Sequence, residues 1–495
     1  MRSERMMARH GIEAGLSAPS PLPALEKLLL AAICAATLFF AVVTPPFQAP
    51  DENQHYMKAL LLSEGRMLAE TRGGLIGADL PRAAIELHSV DFPTDVPATA
   101  RVFDSAMLAK AWTADASRPG RVFAEFPNVA SYAPTIYAPG AAGLLMGDAM
   151  GLPHLGAFYV GRIINAVTAL ALLCAALWLL PFGRTAMLGV ALLPTFSYQI
   201  GSLSPDAVIN GIAFVGLALA LRIGFIGNSA RRTTGLFIIA PMLALAKGVY
   251  LPLIAAGLRW PTGRHNGRLL VLFMAMAIGA LTFIGWMKYS GGSQALYHIM
   301  SRKTGESVLT APLANQLAVI LGDPIGYVRI LISSVVERAP VYVLQIVGRF
   351  GWNAILLPLL AYPLAGVMIV AAMASGAGER FGIGQRLWWI AVAVDTALLI
   401  ETAMYLTGTP PAADFIQGTQ GRYFLPLMPL LLLALSTERP MRGARPLFAG
   451  SALLLLAIAS VSAFDSFWVR GFVTSDGMPP HSDPLRALLL PSPRW

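Results

Sequence analysis

The side chains best suited to chemistry in this 495-residue chain cluster in one place, where Asp51 and Glu52 are followed by His55 and Tyr56. Two adjacent carboxylates can take a proton from a hydroxyl or hold a divalent cation. His55 comes one helical turn after Asp51 and shares its face, where it can orient a carboxylate or meet a phosphate. The same residues also have a structural reading: Asp51 caps a helix, Glu52 sits in its first turn and His55 lies near lipid headgroups. Pro45, Pro46 and Pro50 end the apolar run before them, because proline lacks an amide donor and restricts the residue it follows. Helical spacing resumes through Met57, Leu60 and Leu61, so the acidic cluster stands at the mouth of a membrane span.

Further along, Lys247 interrupts an apolar stretch at membrane depth, and such a residue is a functional candidate. It can meet a phosphate or an acid, or close a turn as a structural ion pair. Arg162, with Asn165 one turn on, can bind phosphate, pair with an acid or snorkel to the surface. Asp206 follows the turn Ser202-Leu203-Ser204-Pro205 as an N-cap or first-turn acid. The run Gln417-Gly418-Thr419-Gln420-Gly421-Arg422-Tyr423 has two glycines that let backbone amides approach a ligand, and Arg422 offers a fork matched to phosphate. Its structural alternative is a loop with an interfacial Arg-Tyr anchor.

Positioning such residues requires membrane helices. The chain is 56% hydrophobic and only 13% charged, where a soluble domain carries roughly a quarter charged residues. An all-α polytopic membrane protein follows, with the lipid bilayer as its first partner. The net charge of +9 resides in short loops between apolar runs, which is a topology signal and not a nucleic-acid surface. Cys34 and Cys174 lie in apolar runs and read as small buried residues. No zinc-type cluster of cysteine and histidine occurs.

Runs of about 20 apolar residues place spans at 25–43, 157–180, 186–202, 206–222, 269–286, 354–373, 387–406, 423–435 and 447–467. A cytoplasmic tail is expected at 1–24, a large outer loop at 46–155 and an outer-face tail at 469–495. Basic clusters flank both ends of 236–258, which predicts a re-entrant hairpin turning at Lys247. The segment 288–350 has apolar residues at helical spacing among many charges, which predicts helices lying on the outer interface.

Pro50-Asp51-Glu52 with His55, Arg162 with Asn165, Ser204-Pro205-Asp206, Lys247 with Tyr250, and Gln420-Gly421-Arg422-Tyr423 together resemble a family of bacterial polytopic membrane proteins of unknown function. More broadly, the layout resembles the GT-C glycosyltransferases, such as protein O-mannosyltransferases and aminoarabinose transferases. In those enzymes an Asp-Glu pair and an aromatic one turn later, in a large first outer loop, form the active site. Asp51, Glu52 and Tyr56 occupy the matching places. The resemblance implies a polyprenyl-phosphate sugar donor, a glycan or lipid acceptor, and inverting transfer at the outer face of the inner membrane. It implies Asp51 as the base, and leaves a divalent cation open. His55 stands where the mannosyl and aminoarabinose enzymes often carry arginine, which leaves the donor sugar open. We pair Arg422 and Lys247 with the lipid phosphate by inference. Two other classes fit the composition: a transporter or flippase for a lipid-linked saccharide, and a non-enzymatic envelope-assembly subunit.

Overall fold

The computed structural model describes residues 22–73, 75–92, 103–259, 266–290, 313–409 and 413–469. Nearly all of both expected tails lies outside the described residues, as do 93–102 of the expected outer loop and 291–312 of the expected interfacial segment. Among the described residues, eight helical stretches are long and apolar enough to cross a membrane, as expected of an all-α polytopic membrane protein. The helices that matter below are α1 (Ala24–Val43), α2 (Glu52–Ser63), α3 (Ala138–Ala149), α4 (His154–Leu179), α5 (Arg184–Ala191) and α6 (Pro194–Ile200). They continue as α7 (Asp206–Phe225), α8 (Ala230–Lys247), α9 (Asn266–Tyr289), α10 (Pro324–Val347), α11 (Ala361–Ala374), α12 (Ile383–Gly408) and α13 (Ala444–Phe464).

Helix α7 is the centre of the bundle. It is apolar all round and buried from Asp206 to Gly224, as a helix with no solvent or lipid face must be. Beside it the chain rises through α8 to Lys247 and then comes back. Lys247 reaches Asp206 at the start of α7, whereas Gly257, ten residues later, lies against Ala220 and Gly224 near its end. The return leg, Gly248–Gly257, is a 3-10 helix. A side chain on Gly224 or Gly257 would overlap the opposing backbone carbonyl, so glycine permits this close packing. By length and composition 230–257 counts as one span, but the contacts show the chain doubling back within it.

Several expected spans take other forms. The run 186–202 is not one helix: α5 ends, Leu193 is extended and α6 begins at Pro194, because proline cannot continue the preceding hydrogen-bond ladder. The run 423–435 is a 3-10 turn, Gly421–Phe424, followed by the eight-residue helix Met428–Leu435, with Pro426 and Pro429 at the break. The run 354–373 begins as a two-stranded hairpin, Arg349–Phe350 with Ile355–Leu356, and becomes helical only in α11. Conversely, α10, within the segment expected at the interface, is apolar and long enough to span. Its geometry is crosswise. Tyr327 donates to Thr402, while Tyr342 lies against Glu401. Fifteen residues of α10 cover about 22 Å, yet both contacts fall on neighbouring residues of α12.

The loop after α1 is structured. It holds an antiparallel three-stranded sheet, Glu70–Arg72, Leu75–Pro81 and Arg121–Glu125, with Gly77 paired to both Glu70 and Glu125. It ends in α3, whose Gly143 and Gly147 let it press onto Gly161 and Ala157 of α4. At the opposite end of the bundle, arginines satisfy helix-terminal carbonyls. Arg184 donates to Leu177, Arg222 to Leu179, Arg268 to Gly224, and Arg386 to Ala434 and Ser436.

Candidate functional site

The loop between α1 and α2 is held in a strained shape. Phe47 and Asp51 both have φ of 63°, a left-handed conformation that costs a non-glycine residue on the order of 1–3 kcal/mol. Surrounding contacts over-determine it. The Gln48 carbonyl accepts from the Tyr198 hydroxyl at 2.7 Å and from the Trp352 amide at 3.2 Å. The Trp352 indole donates to the Phe47 carbonyl at 2.8 Å. The Phe47 ring is buried between Phe158 and Tyr56. Trp352 and Asn353 also have positive φ, so backbone strain concentrates around Asp51.

Asp51 and Glu52, adjacent in sequence, face different surroundings. Glu52 is fully buried and forms a bidentate pair with Arg162, Nε to Oε1 at 2.8 Å and Nη2 to Oε2 at 2.6 Å. Glu52 also accepts from the Leu203 amide. The remaining donors of Arg162 reach the carbonyls of Ala41, Thr44 and Pro45, so all five guanidinium N–H groups are used. Its plane lies over Phe158. One turn on, Asn165 donates to the carbonyls of Ser202 and Ser204. Arg162 and Asn165 therefore rivet the end of α1, the start of α2 and the turn before α7. Of the roles open to Arg162, the pair with an acid is the one formed.

Asp51 belongs to an open chain of alternating charges. Its side chain is 29% exposed and lies 2.8 Å from Arg422 Nη2. Arg422 Nη1 also reaches the Pro50 carbonyl. Arg422 Nε lies 3.3 Å from Asp206 Oδ2 without hydrogen-bond alignment. Asp206 Oδ1 accepts from Lys247 at 3.2 Å, and the Lys247 ammonium sits 4.1 Å above the Tyr423 ring. Tyr250 donates to the Tyr423 carbonyl, which ties the hairpin to the 416–423 loop. Asp206 occupies the first turn of α7, with Pro205 as the capping residue. Burial opposes charge on Arg422, but Asp206, Tyr423 and Asp51 outweigh it and hold its pKa above the ordinary value.

Beside this chain, His55 shares a 2.9 Å hydrogen bond with the Tyr137 hydroxyl. Burial pulls the imidazole down to about 4, and pushes the Tyr137 hydroxyl well up. His55 is therefore neutral at physiological pH and the two form an uncharged wall. Tyr56 points away into the core, against Phe47 and Phe158. Among the described residues the side-chain amide oxygen of Gln420 (Oε1) is buried without a partner, while Gly421 donates to Gln345.

Sequence reasoning did not single out Tyr132 or Tyr137 as site residues. Yet Asp51 and Asp206 act on both of their hydroxyls, and Lys247 also acts on that of Tyr132. The aromatic, proline-rich run at 132–140 was the available signal. Of the twelve candidates, Asp51, Asp206, Lys247, Arg422 and Tyr423 come together, with His55 and Tyr250 at the margin. Glu52, Arg162 and Asn165 form the frame behind them. Among the described residues, no group of three or more His, Cys, Asp or Glu side chains is arranged to hold a metal ion.

No curated protein and no solved structure matches this chain. Residues 34–431, most of the chain, match the model of a family described as predicted membrane protein (DUF2142), and the chain belongs to that family.

Proposed function

We propose that the protein is an integral-membrane glycosyltransferase of GT-C type, moving a sugar from a polyprenyl-phosphate donor to a glycan or lipid acceptor. The observation that carries this reading is Asp51 itself. It is a part-exposed carboxylate fixed by Arg422 at one end of a charge chain whose other end is the cation Lys247. Asp51 Oδ2 faces Arg422, and among the described residues Oδ1 accepts no hydrogen bond. That oxygen is available to take the proton of an acceptor hydroxyl. The hydroxyl oxygen bonds to the anomeric carbon from the face opposite the phosphate, and the bond from that carbon to the phosphate oxygen breaks. The electron pair leaves on the lipid phosphate, which Lys247 and Arg422 stabilise. Positioning and fixed charges carry most of the rate in such a step. Glu52 acts indirectly, holding the loop through Arg162.

The arginine-rich end then faces the cytoplasm of a bacterial inner membrane, and the site opens on the outer side. A transporter would place its substrate near the bilayer midplane between repeated halves, whereas this charge chain sits at one end of α7. The test is transfer in proteoliposomes supplied with polyprenyl-phosphate-linked sugars and extracted envelope acceptors. Wild type transfers label, and Asp51→Asn binds the donor but does not transfer it. Near-normal transfer by Asp51→Asn removes the base from the proposal.

A further inference from the structure

At the end of the bundle opposite the site, α11 and α13 part to leave a groove of about 750 Å³. Its walls include Gly366, Ala371 and Ala374 on one side and Ala444 and Leu447 on the other, with Arg442 at the mouth. The apolar floor is open: a side chain placed on Gly366, or on Gly443 beside Arg442, would meet no atom within 4 Å. From Gly366 to Ala374 the groove runs about 12 Å along α11, most of the ~15 Å hydrocarbon depth of one leaflet. Among the described residues, the only charge lining the groove is Arg442, and it forms no ion pair. The neighbouring acid Glu438 is engaged by Arg380 at 2.8 Å. One apolar trough of acyl-chain length ending at one free guanidinium has the shape and polarity of a phospholipid. Guanidinium matches phosphate geometry better than ammonium does.

We propose that the α11–α13 groove binds an anionic phospholipid, its acyl chain on the small residues and its phosphate on Arg442. The proposal is independent of the transferase reading. The test titrates the detergent-purified full chain with phosphatidylglycerol and with phosphatidylcholine, counting bound lipid by native mass spectrometry. Wild type holds one phosphatidylglycerol about fivefold tighter than phosphatidylcholine, the preference expected of one basic side chain at a lipid surface. Arg442→Gln removes that preference. Gly366→Leu, which projects into open space, weakens both lipids while leaving the melting temperature in place. Asp51→Asn changes neither. Equal binding of the two lipids by wild type, or variants indistinguishable from it, overturns the proposal. So does a wild-type dimer that Gly366→Leu dissociates, since a second copy would then occupy the groove.

Discussion

Two ion-paired clusters lie side by side in this protein and behave as opposites. In the Glu52–Arg162 pair, both side chains are fully buried, every guanidinium donor is filled, and nothing is left over for a ligand. In the Asp51–Arg422–Asp206–Lys247 chain, the ends are 29% and 19% exposed, one contact is misaligned, and among the described residues one Asp51 carboxylate oxygen accepts no hydrogen bond. The residue types are almost the same, and Asp51 and Glu52 are neighbours in sequence. What separates frame from site is how completely the hydrogen-bonding capacity is used. A saturated pair resists exchange, whereas an unsaturated chain can trade one partner for a phosphate or a hydroxyl.

Breaking the frame should have the largest effect. Arg162→Ala leaves Glu52 buried and unpaired, a change worth about 3–5 kcal/mol, and we expect little monodisperse protein by size exclusion. Glu52→Gln combined with Arg162→Met should be better tolerated than Arg162→Ala alone, as coupled partners are non-additive. If Arg162→Ala behaves like wild type, the frame is not a frame.

Opening the site should cost function and spare stability. Asp51→Asn keeps shape and position, so melting stays near wild type while transfer falls by about 10²–10⁴, the usual share of a general base. Parallel loss of melting temperature and transfer would instead place Asp51 in the frame.

The His55–Tyr137 wall beside the site responds to pH. His55 has a folded pKa of about 4 against roughly 6.5 unfolded. Between those values the unfolded chain binds more protons, so stability rises with pH there. The contribution, at most about 3 kcal/mol, is present above pH 6.5 and lost as pH falls toward 4. Melting scans across this window should show the loss, and His55→Gln should flatten it. A transfer profile with a step near 6.5 that His55→Gln removes would contradict a neutral His55.

Lys247→Met should weaken polyprenyl-phosphate binding by about ten- to a hundredfold, as expected for a charged hydrogen bond of about 1.5–3 kcal/mol, measured as lipid-induced thermal shift. The smallest effect belongs to the surface pair Arg72–Asp79, with both side chains exposed. Screening leaves such pairs little influence, and Arg72→Ala should not move the melting curve.

Much of this was legible in the sequence. The apolar runs showed the polytopic class, and the prolines at 45, 46 and 50 marked where the first helix stops, though not the backbone strain that follows. Proline also explains the misread runs: Pro194, Pro426 and Pro429 cut stretches whose hydropathy alone suggested single spans. Hydropathy alone does not separate a helix across the bundle from one through it; for α10 the charges scattered through 288–350 were the available signal. The split between Asp51 and Glu52 was not legible either. It depends on Arg162 and Arg422, more than a hundred and more than three hundred residues away, which only the folded bundle brings to either side of one peptide bond.

The most direct test of the transferase account is a density map of the full chain with a polyprenyl-phosphate analogue. The lipid phosphate is expected beside Lys247 or Arg422, within several ångströms of Asp51, with the Glu52–Arg162 pair unchanged behind it. A phosphate bound in a path open to both ends of the bundle, with Asp51 remote and still locked to Arg422, would contradict it.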